Sequence, residues 1–573
     1  MTIRVRPVDR GRSGRNPNRR TLYTNLAFGG TVIVSILILV FVGVTSWYGA
    51  HLAAAATVNG ETITKDQFTE RAAVEAFRLQ QLAGRVTAEL AAGRLTAAQA
   101  EARTTSINNQ LDPQQFTPAV LEKLIDARIQ AGLARELGIA ITPEQIDQRI
   151  LEDKTRKEER HVWLIAVKPE VDSGKTEPTD AQKAAAKKKA DDALAAIKGG
   201  KAFEDVAREI STDPSKASGG DYGWLDTDSI DDGEWEAALF KLEANGLTDV
   251  IVGKDDGIPR IGRVTEIVPA AVDPTWDQKL ADANIKQETY RATIESEAIR
   301  AALNDRIVAD ASVSGPQRKV QELFIAAPAQ APATSSLKVR HILFSPKDDP
   351  QTAQTVPASD PEWSKAELAA KAAYEKIKKD AKQFDVIARA ESDETSANGD
   401  DGTGGKLPYF DPASQIDEAF AAAIFKEGVK PGDLLEPFKS SFGWHVVQVM
   451  YGPPDSAQME KLRTQAATPG TDFGQLVRDF SDGPKAGKGG DIGWVAKGQL
   501  DDRLTSVILA TPAGSLTSVI DIPNDGLYLF KVNEERTAAP DEEQLKTIKS
   551  DAFGLWYAGK KAAVKITREL IDS

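Results

Sequence analysis

The pattern of apolar and polar positions divides the chain into a helical stretch and a later series of mixed segments. Val58-Asn59-Gly60-Glu61-Thr62-Ile63 sets two short apolar runs about an Asn-Gly pair, the sequence of a tight hairpin. From Lys65 onward apolar residues recur three and four apart. The spacing predicts helices over Ala72–Leu82, Ala88–Ile107 and Pro118–Leu137, the last ending at Gly138. Thr142-Pro143-Glu144-Gln145 reads as another helix start. Further helices are expected at Ala181–Lys198, Trp276–Val308 and Asp541–Ile571, the last with an apolar stripe of Leu545, Ile548, Phe553, Trp556 and Tyr557. Residues 57–155 group no side chains for bond-making chemistry, so an amphipathic helical bundle is expected there.

One phrase occurs three times: Phe, an apolar residue three on, Arg five on, Ser eight on, then Gly-Gly. The copies are Phe203, Val206, Arg208, Ser211 and Gly219-Gly220; Phe384, Ile387, Arg389, Ser392 and Gly404-Gly405; and Phe473, Leu476, Arg478, Ser481 and Gly489-Gly490. The spacing puts Phe and its apolar partner on one face of a short helix, and paired glycines end it in a turn that needs permissive backbone angles. One small domain is therefore used repeatedly.

The first two copies open with apolar strands, Arg160-His161-Val162-Trp163-Leu164-Ile165 and Arg340-His341-Ile342-Leu343-Phe344. The second closes with Ser441-Phe442-Gly443-Trp444-His445-Val446-Val447-Gln448-Val449, alternating as a sheet strand does. The third has no strand directly before its helix at Ser456–Ala467, but Lys319–Ala327 upstream parallels Lys338–Ser345. Pro/Ala/Ser-rich segments at 328–336 and 452–456 flank the material between. The second copy is thus expected to be inserted into a surface loop of the third. Trp224 and Trp494, after two of the Gly-Gly turns, read as core aromatics.

Charge and composition narrow the function. Seven arginines against one acid give residues 1–25 a charge of +6, which leaves −20 for the rest of a chain whose total is −14. An acidic body argues against nucleic-acid binding. With no cysteine and four histidines, neither a metal site nor a cofactor is expected. No Asp, Glu, Lys or Arg occurs from Thr21 to Gly60, and the largely apolar run 26–48 is long enough to cross a bilayer. It exceeds the ~7–15-residue core of a signal peptide. A retained anchor is expected over cleavage near Ala53–Ala56, with the basic tail 1–25 cytoplasmic and the bulk of the chain extracytoplasmic.

The strand pair around His341 and His445, with Ser and Gly-Gly between, resembles the parvulin-type peptidyl-prolyl isomerases. The 58–63 hairpin, Leu121–Asp126 and Leu137-Gly138-Ile139 resemble the N-terminal chaperone region of the SurA, PrsA and PpiD foldases. The resemblance implies an α+β chain: a transmembrane helix, a helical chaperone region and three parvulin-like domains, each a small antiparallel sheet with surrounding helices. The expected bounds are 57–155 with 272–312 and 541–573 for the helical region, 156–270 for the first domain, 337–452 for the second, and 317–328 with 456–536 for the third. As in SurA-like proteins, the C-terminal segment is expected to pack on the N-terminal helices.

The same resemblance supplies site residues. His341 and His445 match the parvulin histidine pair, and Leu407, Ile416 and Phe420, with Phe410 beside them, match its proline pocket. Glu394 falls where parvulins carry Cys or Asp, and Ser440 at a hydroxyl position near the second histidine. Four extra residues separate Ser392 from Gly404, and Lys406 and Pro408 replace Asp and Gly of the other copies. The first copy keeps His161, read as structural, with Asp213 at the Cys/Asp position. The third has Tyr528 and Gly483 at the second-histidine and acidic positions. The expected function is isomerisation of X-Pro bonds, centred on the second copy, together with chaperoning of newly exported unfolded polypeptides. A non-catalytic holdase is the alternative, and an adaptor at an export channel a third reading.

Overall fold

The computed structural model describes residues 53–571 except 174, 176, 228 and 230–232. The apolar run 26–48 and the basic tail lie outside the described residues. Among the described residues no helix is long and apolar enough to cross a membrane. The chain divides into two compact units, one running to Ala302 and resuming at Val564, the other Leu303–Ala563.

The first unit opens with the hairpin β1 (Ala54–Val58) and β2 (Glu61–Thr64), turned by Asn59 and Gly60, both at positive φ as a two-residue hairpin requires. Helices α1 (Lys65–Ala91), α2 (Ala97–Leu111), α3 (Pro113–Glu136) and α4 (Pro143–Lys154) follow. Three of them start at a threonine that caps reciprocally with a glutamine three residues on: Thr64, Thr96 and Thr142. The helix expected over 88–107 is split, because Gly93 takes a left-handed φ of 72°. The one expected over 276–308 is split at Asn284, also left-handed, into a short helix at Trp276–Asp282 and α8 (Gln287–Ser312). Val74, Phe77, Ile146, Trp276, Leu280, Tyr290 and Ile294 share one core.

The first repeat copy lies in this unit. Its sheet has the order β4 (Asp221–Asp226), β3 (Glu159–Ala166), β5 (Pro259–Val268), then Ile251–Val252. One face packs on α5 (Asp180–Lys198) and α6 (Phe203–Ile210) through Ile165, Val167, Phe203 and Val206. The other packs on α7 (Gly233–Leu239) through Val162, Leu164, Trp235 and Leu239.

The second unit repeats this order twice. Strand β6 (Gly315–Ala326) comes first in sequence, yet its neighbours are β10 (Asp491–Val495) and β11 (Gly526–Ala538), with Ile520–Ile522 at the far edge. Between them lies a complete second sheet: β8 (Lys406–Phe410), β7 (Leu337–Phe344), β9 (Trp444–Tyr451), then Phe438–Lys439. Helices α9 (Pro361–Lys379), α10 (Gln383–Glu391) and α11 (Glu418–Ile424) cover the second sheet. α12 (Asp455–Ala466), α13 (Phe473–Phe480) and α14 (Asp502–Ala510) cover the third.

The second and third copies are locked by three buried cations of the second. Lys338 reaches Asp482 at 2.6 Å, Arg340 reaches Asp479 at 2.8 Å, and Lys406 donates to the Arg478 carbonyl at 2.9 Å. Burial pushes the Lys406 ammonium down to about 8. Met450 and Tyr451 of β9 continue into the core of the third copy.

The C-terminus differs from expectation. Helix α15 (Glu542–Ala562) belongs to the second unit, and only the tail beyond it returns to the first. There Ile566–Thr567 adds to β1, Thr57 opposite Thr567.

Candidate active site in the second copy

The repeated phrase builds the same frame three times. The Phe is fully buried in each copy. The Ser side chain accepts the backbone N–H of a residue on the central strand: Ala166 to Ser211 (3.2 Å), Leu343 to Ser392 (3.2 Å) and Phe324 to Ser481 (3.0 Å). Two residues earlier on that strand, the N–H donates to the second glycine's carbonyl: Leu164 to Gly220 (2.7 Å), His341 to Gly405 (2.8 Å) and Glu322 to Gly490 (2.8 Å). A Cβ on any of these glycines would fall on that strand residue's own carbonyl, and φ is positive in all three, so glycine is required. The frame therefore fixes one strand position per copy, and in the second copy that position is His341.

Strand alternation turns Val339 and His341 away from α9 and α10 and toward α11. On the neighbouring strand His445 pairs with Leu343, which sets the two histidines diagonally on one face. Both are buried, at 6% and 4% exposure. Their rings stack at 5.3 Å with Nδ1 to Nδ1 at 3.1 Å, and Ser440 Oγ lies 2.6 Å from His445 Nε2. Burial lowers the His341 pKa to about 4. Burial, then the neighbouring His341, lowers that of His445 further against the opposing charge of Asp417. Both rings are neutral at physiological pH.

Neutrality and the hydrogen bonds assign the protons. Ser440 Oγ accepts from the Phe442 N–H at 3.0 Å. Its own proton goes to His445 Nε2 rather than to the Gly443 carbonyl at 3.5 Å. His445 then donates from Nδ1 to His341 Nδ1. His341 Nε2 keeps a hydrogen, and this nitrogen is buried with no protein partner.

An apolar wall surrounds the pair. Phe420 stands edge-on to both imidazoles, at 5.9 and 5.2 Å, and touches Phe410 at 6.0 Å. Leu407, Ile416 and Phe410 are half-buried against the same cluster. Glu394 stands apart: its carboxylate accepts from Ser396 at 3.2 Å and makes no hydrogen bond to either histidine. Two residues went unread in the sequence. Phe438 stacks on His445 at 5.4 Å, and its counterparts Ile251 and Ile520 are apolar in every copy, a signal that could have exposed it. Asp417 caps α11 and receives the Ser441 hydroxyl at 2.6 Å, holding the turn after Ser440.

The other copies depart at this position, and two expectations are corrected. His161 is not the counterpart of His341; Leu164 is, by the shared frame. A bulge between His161 and Val162, and the apolar alternation Val162, Leu164, Ala166 toward Trp235, place the histidine three residues too early. His161 instead bonds Asp221 (2.9 Å) and Thr265 (3.0 Å) and stacks on Trp224 at 5.2 Å. Arg260, paired with Ala166, takes the second histidine's place. Leu164, Asp213, Tyr222, Trp235 and Arg260 line a cavity of about 690 Å³ there. Trp224 and Trp494 are half-buried outer covers rather than core residues, each facing an arginine, Arg94 and Arg536. In the third copy Glu322 and Tyr528 hold the two positions.

Comparison with known proteins finds a family described as PPIC-type PPIASE domain at residues 341–451 and 455–534, and a second family of the same description at 148–258. A SurA-like N-terminal domain matches 23–159. Chaperone SurA of Hahella chejuensis is 23% identical over 292 residues, 46% of this chain and 62% of that protein. Foldase protein PrsA of Bacillus subtilis is 31% identical over 122 residues, 21% and 41% of the two chains. The chain thus spans about two thirds or less of the length of the curated relatives it matches. Among solved structures, PrsA from Bacillus anthracis is 18% identical, covering 42% of this chain and 93% of its own, with a TM-score of 0.19. A SurA-like chaperone of Campylobacter jejuni is also 18% identical, covering 46% and 99%, with a TM-score of 0.20.

Proposed function

We propose that this chain, which joins PPIC-type parvulin domains to a SurA-like N-terminal domain, is a membrane-anchored extracytoplasmic foldase. Its second parvulin domain isomerises X-Pro bonds, and the helical region and the other two domains hold unfolded exported chains. The observation that carries the reading is the buried, neutral His341–His445 pair with an unpartnered His341 Nε2 beside an apolar wall.

Rotation about X-Pro faces a barrier of about 20 kcal/mol and breaks no bond, so neither nucleophile nor metal is needed. A planar amide is more dipolar than a twisted one, so an apolar surround of Leu407, Phe410, Ile416 and Phe420 favours the twisted form. A proline ring held on that wall brings its amide to the His341 Nε2–H. In a dry site one such neutral donor contributes roughly 1–3 kcal/mol, about five- to 150-fold in rate. Ser440 and His445 hold the donor's proton in place. Glu394 contributes through the loop that carries it, not by contact with the pair.

The anchor at 26–48, the cytoplasmic basic tail and the extracytoplasmic body are supported by the arginine-flanked apolar run. The domain bounds 156–270, 337–452 and 317–328 with 456–536 are supported by three sheets of one strand order. Leu164 with Arg260, and Glu322 with Tyr528, favour holding over catalysis in the first and third domains, and the holdase alternative extends that to the second.

The test is the refolding of an aggregation-prone protein whose slow phase is X-Pro isomerisation. The foldase reading expects suppressed aggregation and a faster slow phase. In the His341→Ala/His445→Ala variant aggregation stays suppressed and the slow phase returns to its uncatalysed rate. A wild-type chain that suppresses aggregation without accelerating the slow phase is a holdase.

A further inference from the structure

The third domain keeps the apolar half of the site and changes its polar half. Counting from the shared Gly-Gly turn, Ile492 and Val495 of β10 stand where Leu407 and Phe410 stand on β8. Counting from the aspartate that caps each following helix, Asp501 and Asp417, Leu500 and Leu504 match Ile416 and Phe420. All four belong to one cluster with Tyr528, and Ile492, Leu500 and Tyr528 remain half-exposed. Glu322 holds the His341 position by the same N–H to glycine bond, and Tyr528 pairs with Phe324 as His445 pairs with Leu343.

We propose that this face of the third domain is a second binding groove for proline-containing polypeptide, in which protonated Glu322 donates to the carbonyl preceding proline. The inference rests on the reading of the second domain given above.

Four observations support it. The Glu322 carboxyl makes no hydrogen bond among the described residues, and it lies over Gly483, where the other copies carry Asp213 and Glu394. A Cβ at 483 would sit 3.0 Å from Glu322 Oε1, so the glycine leaves the carboxyl its space. Burial, then the charge of Asp525, raises the Glu322 pKa to about 7. The other ionisable groups around it are accounted for. Tyr528 is tied to Asp525 at 2.6 Å, Arg503 to Asp501 at 2.8 Å, and Asp482 to the Ala326 N–H and Lys338. The residue before proline offers a carbonyl acceptor and proline offers no N–H. A protonated carboxyl therefore fits the ligand, and a carboxylate opposes it.

The full chain is mixed with an Ala-Ala-Pro-Phe peptide carrying a photo-reactive diazirine, irradiated at pH 6 and pH 8, and the adducts are mapped by mass spectrometry. Isomerisation of the same peptide is followed in parallel. Adducts on residues 488–508 and 520–530 at pH 6 should fall about tenfold by pH 8, the change in protonated fraction for a group titrating near 7. Adducts on the second domain, whose histidines are neutral throughout, should not change. Glu322→Gln keeps a donor of the same shape and should label equally at both pH values. Labelling of the second domain alone overturns the third-domain groove while leaving the isomerase reading intact. So does third-domain labelling that ignores pH in the wild type, or that falls with pH equally in Glu322→Gln. Neither labelling nor isomerisation overturns both.

Discussion

Leu164 and His341 hold the same place in two copies of one sheet, each donating its N–H to the carbonyl of the second glycine of its Gly-Gly turn, at 2.7 and 2.8 Å. The neighbouring His161, which shares an Arg-His pair with the second copy, is outside that place. His161→Ala is therefore expected to leave X-Pro isomerisation within about twofold of wild type. It should cost roughly 1–2 kcal/mol of local stability through the bonds to Asp221 and Thr265. Activity and hydrogen exchange in β3 check this together. A large loss of activity with β3 intact would return His161 to the chemistry.

Much of this arrangement was legible in the sequence because the Phe, Ser and Gly-Gly spacing is a set of local contacts: a buried ring, a side chain reaching a fixed strand, a turn only glycine can make. The paired histidines were legible because His341 and His445 sit in alternating apolar runs whose period fixes their face. What the sequence hid was register. A bulge of one residue changes the face of everything beyond it, and the Arg160-His161 pair gave no sign that the strand had slipped by three. Phe438 was hidden because a two-residue edge strand has no period to read. Trp224 and Trp494 were misjudged because a large aromatic beside a glycine turn can cover a sheet as well as fill it.

Ser440 acts through His445. Ser440→Ala removes the proton that sets the tautomer and should lower kcat/KM about tenfold, with Ser440→Thr restoring most of it. The imidazole nitrogen shifts of His445 are the discriminating readout. They should show a changed tautomer in Ser440→Ala and the wild-type tautomer in Ser440→Thr. Unchanged shifts with lowered activity would point to packing.

The histidines also set a pH dependence. Their folded pKa values lie below the unfolded value near 6.5, so the unfolded chain binds more protons from that value down to about 4 for His341 and about 3 for His445. Stability from this pair is fully present above pH 6.5 and declines as pH falls toward 3. Isomerase activity should be flat from pH 6 to 8. Urea midpoints for the second domain should drop below pH 6, and the drop should be smaller in His341→Phe/His445→Phe. A midpoint that rises on acidification contradicts the assignment.

The cations between the second and third domains make a mechanical prediction. Asp479→Ala strands the buried Arg340 guanidinium with the Gln448 amide and the Phe384 ring but no counter-charge, and should cost about 3 kcal/mol. Arg340→Met with Asp479→Leu should recover most of that loss. Hydrogen exchange in β7, the strand that carries His341, reports both. Equal destabilisation by the single and double changes would mean that the charge is not the cause.

The most direct test of the account is exchange NMR of an X-Pro peptide with the wild-type chain and with His341→Ala/His445→Ala. The account predicts that the wild type accelerates cis–trans exchange and that the double variant, still folded by hydrogen exchange in β7 and β9, does not. Equal acceleration by both proteins would contradict it, since the chemistry would then lie outside the histidine pair.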